Sequence, residues 1–396
     1  MRRNKNDVKV LGQILRIARR EVDIIMRNPI YWFCMVLFPV LVIIFFTSML
    51  KEGVPTELPI GVVDEDNSAT TRALIRKLDA MQTSDVVSHY PNINSARQAI
   101  QRNEIYGFLF FPEHTTDDLL SARQPNISFY YSNAVLAAGS MVFRDMKTVC
   151  TLGSAAVGMA TMQAKGISSE QIKAFLQPIA IDLHQISNPW TNYNVYLSNV
   201  FIPACILLFI FLVTPYSIGT ELKFNRSKEW MAMAGNRSWV ALVGKFLPHH
   251  IIYLLVMLGY MWYVFGVLNF PHPGGWGVIL LLAILSIWAS QGFGIFIFGL
   301  MPSLRMSMSV CSLWGVLSFT VCGGAFPVYA MDAPIEALSY LFPMRHYFMV
   351  YQIGILGGYP LIDCFVNILF MVGFAALPLF VLRRTRKAML EYEYIP

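Results

Sequence analysis

Apolar residues gather in six long runs along this chain, at about 30–50, 197–218, 246–268, 276–300, 306–326 and 361–382. Each approaches or exceeds the ~20 residues that a helix needs to cross a bilayer, so the pattern predicts six transmembrane helices. The first run, PIYWFCMVLFPVLVIIFFTSML, is too long for a signal-peptide core. No small-residue cleavage site follows it, so it reads as a retained anchor. Ahead of it, Leu11, Leu15, Ala18, Val22 and Ile25 recur at three- and four-residue steps, while Arg16, Arg19, Arg20 and Asp23 occupy other faces. This spacing predicts an amphipathic helix that ends at Asn28-Pro29. Its apolar stripe and basic face suit a helix lying flat on the inner leaflet, with packing on protein as the plainer use of the same pattern.

The segment 51–190 breaks the apolar rhythm. It holds 11 basic and 14 acidic residues, too many for a span, and is long enough to fold by itself. LPIGVVD reads as a buried strand, and NSATTRALIRKL starts with cap-type residues and continues as a helix. SARQAIQR reads as helix, EIYGFLFF as strand, EHTTDDLLSAR as helix and NISFYYS as strand. Strands alternating with helices predict a small α/β domain. A long helix from Val135 to about Ala164 and a shorter one at SSEQIKAFL complete it, and Asn188-Pro189-Trp190 leads back to the membrane.

The fold class expected is therefore a polytopic α-helical membrane protein with six transmembrane helices, an N-terminal interfacial helix and an α/β extracytoplasmic domain after the first span. The expected divisions are the interfacial helix at 1–29, span one at 30–50 and the extracytoplasmic domain at 51–190. Spans two to six occupy 191–384, with a cytoplasmic loop at 219–245 and an outer re-entrant region at 323–360, and a cytoplasmic tail follows at 385–396.

Composition agrees with this class: only 14% of the 396 residues are charged and 56% are hydrophobic. Soluble domains carry roughly 25% charged residues. Of the 19 Lys and Arg outside 51–190, all but Arg345 fall on one side of the predicted spans. The positive-inside rule makes that side cytoplasmic, with both termini on it, and predicts a multi-pass membrane protein. The net charge of +6 then faces anionic lipid, and no nucleic-acid partner is needed. The six cysteines show neither a disulfide framework nor metal-site spacing.

Chemistry is sparse. Asp64, Glu65 and Asp66 cluster after the first strand, where a solvated turn and helix cap is the expected role. There is no GxSxG, no HExxH and no phosphate loop. Gly235 to Gly244-Lys245 has the wrong spacing for a phosphate loop, and Phe246 stands where its hydroxyl residue would be. Glu221 and Asp363 sit at span ends, and His249 and His250 near an interface, which disfavours an ion-driven carrier. The driving force is expected from a separate subunit.

Four stretches carry a family resemblance. GTELKFNRSKEWMAMAGNRSWVALVGKFLP is similar to the first cytoplasmic loop of permease subunits of type-2 ATP-binding-cassette (ABC) exporters. GGAFPVYAMDAPIEALSYLFPMRHYFMVYQIGILGG is similar to the stretch after span five of that family. IGVVDEDNS and FLFFPEHTTDDLLSARQPNISFYYSN resemble the outer domain of its subgroup with a large insertion. One departure is Asn225-Arg226-Ser227-Lys228-Glu229-Trp230, where members often show an Arg-Gly-Thr-Leu-Glu type sequence.

The resemblance implies a non-catalytic transporter subunit that binds no cofactor itself. Two ABC ATPase subunits would hold ATP and Mg, and a second permease chain would complete a homodimer or heterodimer in membrane lipid. A periplasmic adaptor is a further expected partner. The exported substrate would be an amphipathic small molecule, a drug or a lipid-like compound. Alternatives are ATP-driven mechanical transmission to an envelope partner without transport, and an ion-driven carrier. The resemblance also implies residue roles. Glu221, Lys223, Arg226, Lys228, Glu229, Trp230, Met231 and Met233 would couple to the ATPase, with Trp230, Met231 and Met233 as apolar anchors. Phe38, Phe45, Phe46, Tyr216, Trp314 and Phe319 would line the substrate path, and Gly323, Gly324 and Pro327 an outer gate.

Overall fold

The computed structural model describes residues 2–121, 123–179 and 181–394, and the side chains among them other than those of residues 2–9 and Leu120. Four basic side chains of the N-terminus, Ala122 of the predicted EHTTDDLLSAR helix and the last two residues of the predicted tail lie outside that description.

In chain order the elements are α1 (Arg2–Arg27), α2 (Pro29–Met49), β1 (Leu58–Asp64), α3 (Ala69–Asp79), β2 (Ser84–His89), α4 (Ile93–Gln101) and β3 (Gly107–Phe111). There follow α5 (Thr115–Leu120), β4 (Ser128–Tyr131), α6 (Leu136–Ala164), α7 (Ser169–Leu176), α8 (Asn194–Lys223), α9 (Ser227–Met233) and α10 (Ser238–Val267). The chain closes with α11 (Gly275–Leu300), α12 (Leu304–Thr320), α13 (Ala333–Ser339), α14 (Pro343–Val350) and α15 (Leu361–Glu391). Two compact units result, Glu52–His184 and the remainder of the chain.

The inserted unit is built on a four-stranded sheet of order β2-β1-β3-β4, parallel except for the β3–β4 pair. β1 is buried on both faces, which is why its sequence is nearly continuous in apolar residues. Ile60 and Val62 pack with Leu78 of α3 and Met146 of α6, and Val63 packs with Ala96 and Ala99 of α4. The acidic triplet is structural at two positions. Asp64 accepts from the Thr71 hydroxyl at 2.8 Å and Asp66 from the Thr116 hydroxyl at 2.6 Å. Ser68 caps α3 in a reciprocal pair with Thr71. Among the described residues no group of three His, Cys, Asp or Glu could hold a metal ion.

In the other unit, α2, α8, α10, α11 and α15 are long and apolar enough to cross a membrane. The protein is a multi-pass helical membrane protein. The predicted fifth run forms α12, which has 17 residues and stops at Thr320, not at 326. Gly323 turns the chain there with φ +101, a backbone state that favours glycine. The Tyr196 hydroxyl donates to the Gly324 carbonyl and fastens this turn to the start of α8. Helix α15 also runs past the predicted limit of 382, to Glu391.

Candidate functional site

A cluster of buried ion pairs lies where α1 meets the Glu221 end of α8 and the Lys245 end of α10. Helix α1 presents three faces. Ile17, Ala18, Glu21 and Ile25 are buried against the bundle. Leu11, Leu15, Val22 and Met26 form an exposed apolar stripe, while Arg16, Asp23 and Arg27 lie exposed on a third face. Contact is close because position 244 is glycine: a Cβ there would lie 2.8 Å from Ile17 Cβ and 3.0 Å from the Ile14 carbonyl oxygen.

A buried ion network fills this contact. Lys245 Nζ donates to Glu21 Oε2 at 2.7 Å and to Glu221 Oε1 at 2.8 Å. Arg20 grips both oxygens of Glu221, at 2.9 and 2.8 Å, in the forked geometry that matches guanidinium to carboxylate. Glu21 Oε1 lies 2.9 Å from His249 Nε2 and accepts from the Ser217 hydroxyl at 3.1 Å. Glu21, Glu221, Lys245 and His249 are all at most 1% exposed. Two carboxylates therefore face the Lys245 ammonium out of water, with the half-buried Arg20 guanidinium at the edge, and an uncompensated charge there would be costly. Burial alone would raise the Glu21 carboxyl. The Lys245 ammonium and the His249 hydrogen bond outweigh it and hold that group down at about 2. Burial likewise lowers Arg20, but its bond to Glu221 and the carboxylate charges leave it above its ordinary value.

Beneath the network lies a second core. Trp230 of α9 is fully buried, with its ring 5.2 Å from Lys245 Nζ, and packs among Ile17, Leu222, Met231, Phe298 and Met389. This corrects the expected roles of three residues. Trp230 and Met231, expected as apolar anchors, are core side chains that face inward, and Glu221, expected in the coupling set, is a network anion. Met233 is half-buried on the same core. The exposed face consists of Lys223, Phe224, Lys228 and Glu229, with Arg226 half-buried and its guanidinium 5.1 Å above the Phe224 ring. Phe224, 55% exposed, is a surface aromatic that the sequence reading passed over.

The network itself is carried by no local pattern in the sequence. Glu21 sits inside a polar Arg19-Arg20-Glu21 run, but its spacing from Ile14, Ile17 and Ile25 puts it on their stripe, and that was the available signal.

The expected path residues form separate groups. Phe46 stacks on Phe201 at 5.1 Å, and Phe201 lies 5.1 Å from Phe319. Phe38 packs on Phe209 and Phe45 edges Phe46 while staying exposed. Tyr216 lies against Tyr31, and Trp314 is held between Phe293 and Phe342. Gly323, Gly324 and Pro327 form the turn after α12, packed on Val328 and Val200.

Long apolar helices joined at a buried ion network define a multi-pass membrane component. The family model described as ABC-2 family transporter protein matches residues 29–382, and the chain belongs to that family. Such permeases are the membrane component of ABC transporters, and an ABC ATPase partner goes with them in general. No curated protein matches the chain.

Proposed function

We propose that this chain is the membrane-spanning subunit of an ATP-driven exporter. It has six spans, α12 being one, and both termini and the 219–245 loop face the cytoplasm. Unit Glu52–His184 then lies outside the cytoplasm of a bacterial inner membrane. Two ATPase subunits, which bind the ATP and Mg, dock below a pair of permeases, and the cargo is an amphipathic small molecule or lipid-like compound. The docking surface is the exposed side of the α8–α9 turn: Lys223, Phe224, Lys228 and Glu229. An aromatic ringed by charge is the composition that concentrates binding energy at interfaces.

One observation carries this reading. Trp230, on the opposite side of α9 from that surface, is packed directly under the Lys245–Glu21–Glu221 network. A displacement of α9 by a motor is thereby delivered to α1, α8 and α10 together. The test is to place the permease in lipid nanodiscs with its ATPase. ATP hydrolysis should rise several-fold over the ATPase alone. Transport that follows a proton or sodium gradient with no ATPase present would overturn the proposal.

A further inference from the structure

Between α10, α11 and α15 lies a groove of about 490 Å³ that the network does not reach. Its walls are apolar, among them Phe246 and Leu379, with Trp239 and Trp288 also lining it. Helices α11 and α15 close it at the back by touching at Gly292, where a Cβ would lie 2.8 Å from Ala375 Cα. The polar groups of its lining, besides the two indoles, are His250 and Gln291.

These two form an incomplete pair. His250 Nδ1 lies 3.3 Å from Gln291 Oε1, and Gln291 Nε2 has no partner although the residue is only 5% exposed. Turning the amide over merely moves the unmet end from donor to acceptor. One end of the Gln291 amide is thus buried without a hydrogen bond at the edge of an apolar groove, a state that buried amides seldom keep.

Depth limits what can meet it. Gln291 lies beside the Gly292–Ala375 contact, and Arg383 is the first basic residue beyond it on α15. Eight residues of helix separate Ala375 from Arg383, about 12 Å. The groove runs inward from Leu382, beside Arg383, and the pair lies about two helical turns inside that charged edge, where a saturated acyl chain has no atom to offer it. A water held there has few of the two to four polar partners it needs. A groove of this volume suits a small ligand.

We infer that this groove is a lateral binding site for an uncharged, lipid-soluble small molecule with one hydrogen-bonding carbonyl or hydroxyl, which contacts Gln291 and His250. The indole of Trp288, 5.4 Å from the His250 ring, gives a flat ligand a face to stack on. The inference rests only on α10, α11 and α15 crossing a bilayer, so it stands or falls separately from export and from the ATPase.

Benzophenone is a suitable probe: two apolar rings, one carbonyl, and light-driven insertion into nearby C–H bonds. The full chain in nanodiscs is irradiated with it and the adducts are mapped by mass spectrometry. Adducts should concentrate on groove residues such as Leu379, at least fivefold over lipid-facing residues of α2. Excess fluorenone, which keeps the carbonyl, should suppress them, and diphenylmethane, which lacks it, should not. Gln291→Leu should cut groove labelling at least threefold. Leu379→Trp, at a 66% exposed position where folding is not at risk, should do so by filling the mouth. Even labelling of all lipid-facing helices would overturn the site. Equal competition by diphenylmethane, or full labelling of Gln291→Leu, would overturn the role of the polar pair and leave only a greasy groove filled by water or lipid.

Discussion

The ammonium of Lys245 and the carboxylate of Glu21 meet at 2.7 Å from positions 224 residues apart in the chain. Both are buried, and the same ammonium also holds Glu221. Removing the cation strands carboxylate charge in the interior, and breaking a buried pair from one side costs about 3–5 kcal/mol. Lys245→Met should therefore lower the thermal midpoint of the permease sharply. Glu21→Gln added to it should recover part of the loss, because one carboxylate then no longer needs a partner. Melting of the wild type, both single variants and the double variant in nanodiscs gives the coupling. Additive losses would show that the two groups do not interact.

Acid should weaken the same joint within a defined window. Glu21 is held at about 2, against an ordinary value of 4.5. A depressed carboxylate stabilises the fold fully above its unfolded value and loses that contribution as pH falls toward its folded value. The difference corresponds to about 3 kcal/mol. Stability should be level from pH 7 to about 5 as far as this group is concerned, then decline between 4.5 and 2. Melting curves at stepped pH test this, and in Glu21→Gln the decline over that window should be shallower.

The apolar runs and the strands LPIGVVD, EIYGFLFF and NISFYYS are legible because one residue after another obeys the same local rule. β1, β3 and β4 fall within those stretches. The strand β2 escapes that rule: SDVVSH is short, half-exposed and lies at the edge of the sheet. The end of α12 is fastened by a tertiary contact, the Tyr196–Gly324 bond, that no local pattern carries. The joint is hidden for the same reason. Glu21, Glu221 and Lys245 each look like interfacial charge until distant segments are brought together. Trp230 looks like a surface anchor because seven residues of helix cannot reveal which side is covered.

Gly244 offers a sharp steric test. An added methyl would press on Ile17 and on the Ile14 carbonyl, both within 3.0 Å. Overpacking of this kind costs about 1–3 kcal/mol and should push α1 away from α10. Gly259→Ala, on the same helix with nothing within 4 Å, is the control. Limited proteolysis at α1 should quicken in Gly244→Ala and stay unchanged in Gly259→Ala. Equal rates in the two variants would mean that α1 does not depend on that close approach.

The two sides of α9 should fail differently. Trp230→Ala removes a fully buried ring from the core shared by Ile17 and Met389, a change that costs about 3–5 kcal/mol. Its thermal midpoint should drop, and any loss of ATPase stimulation follows from damage to the joint. Lys228→Glu and Phe224→Ala alter exposed side chains, and surface changes are usually within about 0.5 kcal/mol. They should leave the midpoint in place yet weaken the binding of the ATPase at least tenfold in a titration on nanodiscs. An ATPase that binds Lys228→Glu and Phe224→Ala at wild-type strength would remove the α8–α9 turn as its docking surface, while leaving the buried network and its energetics untouched.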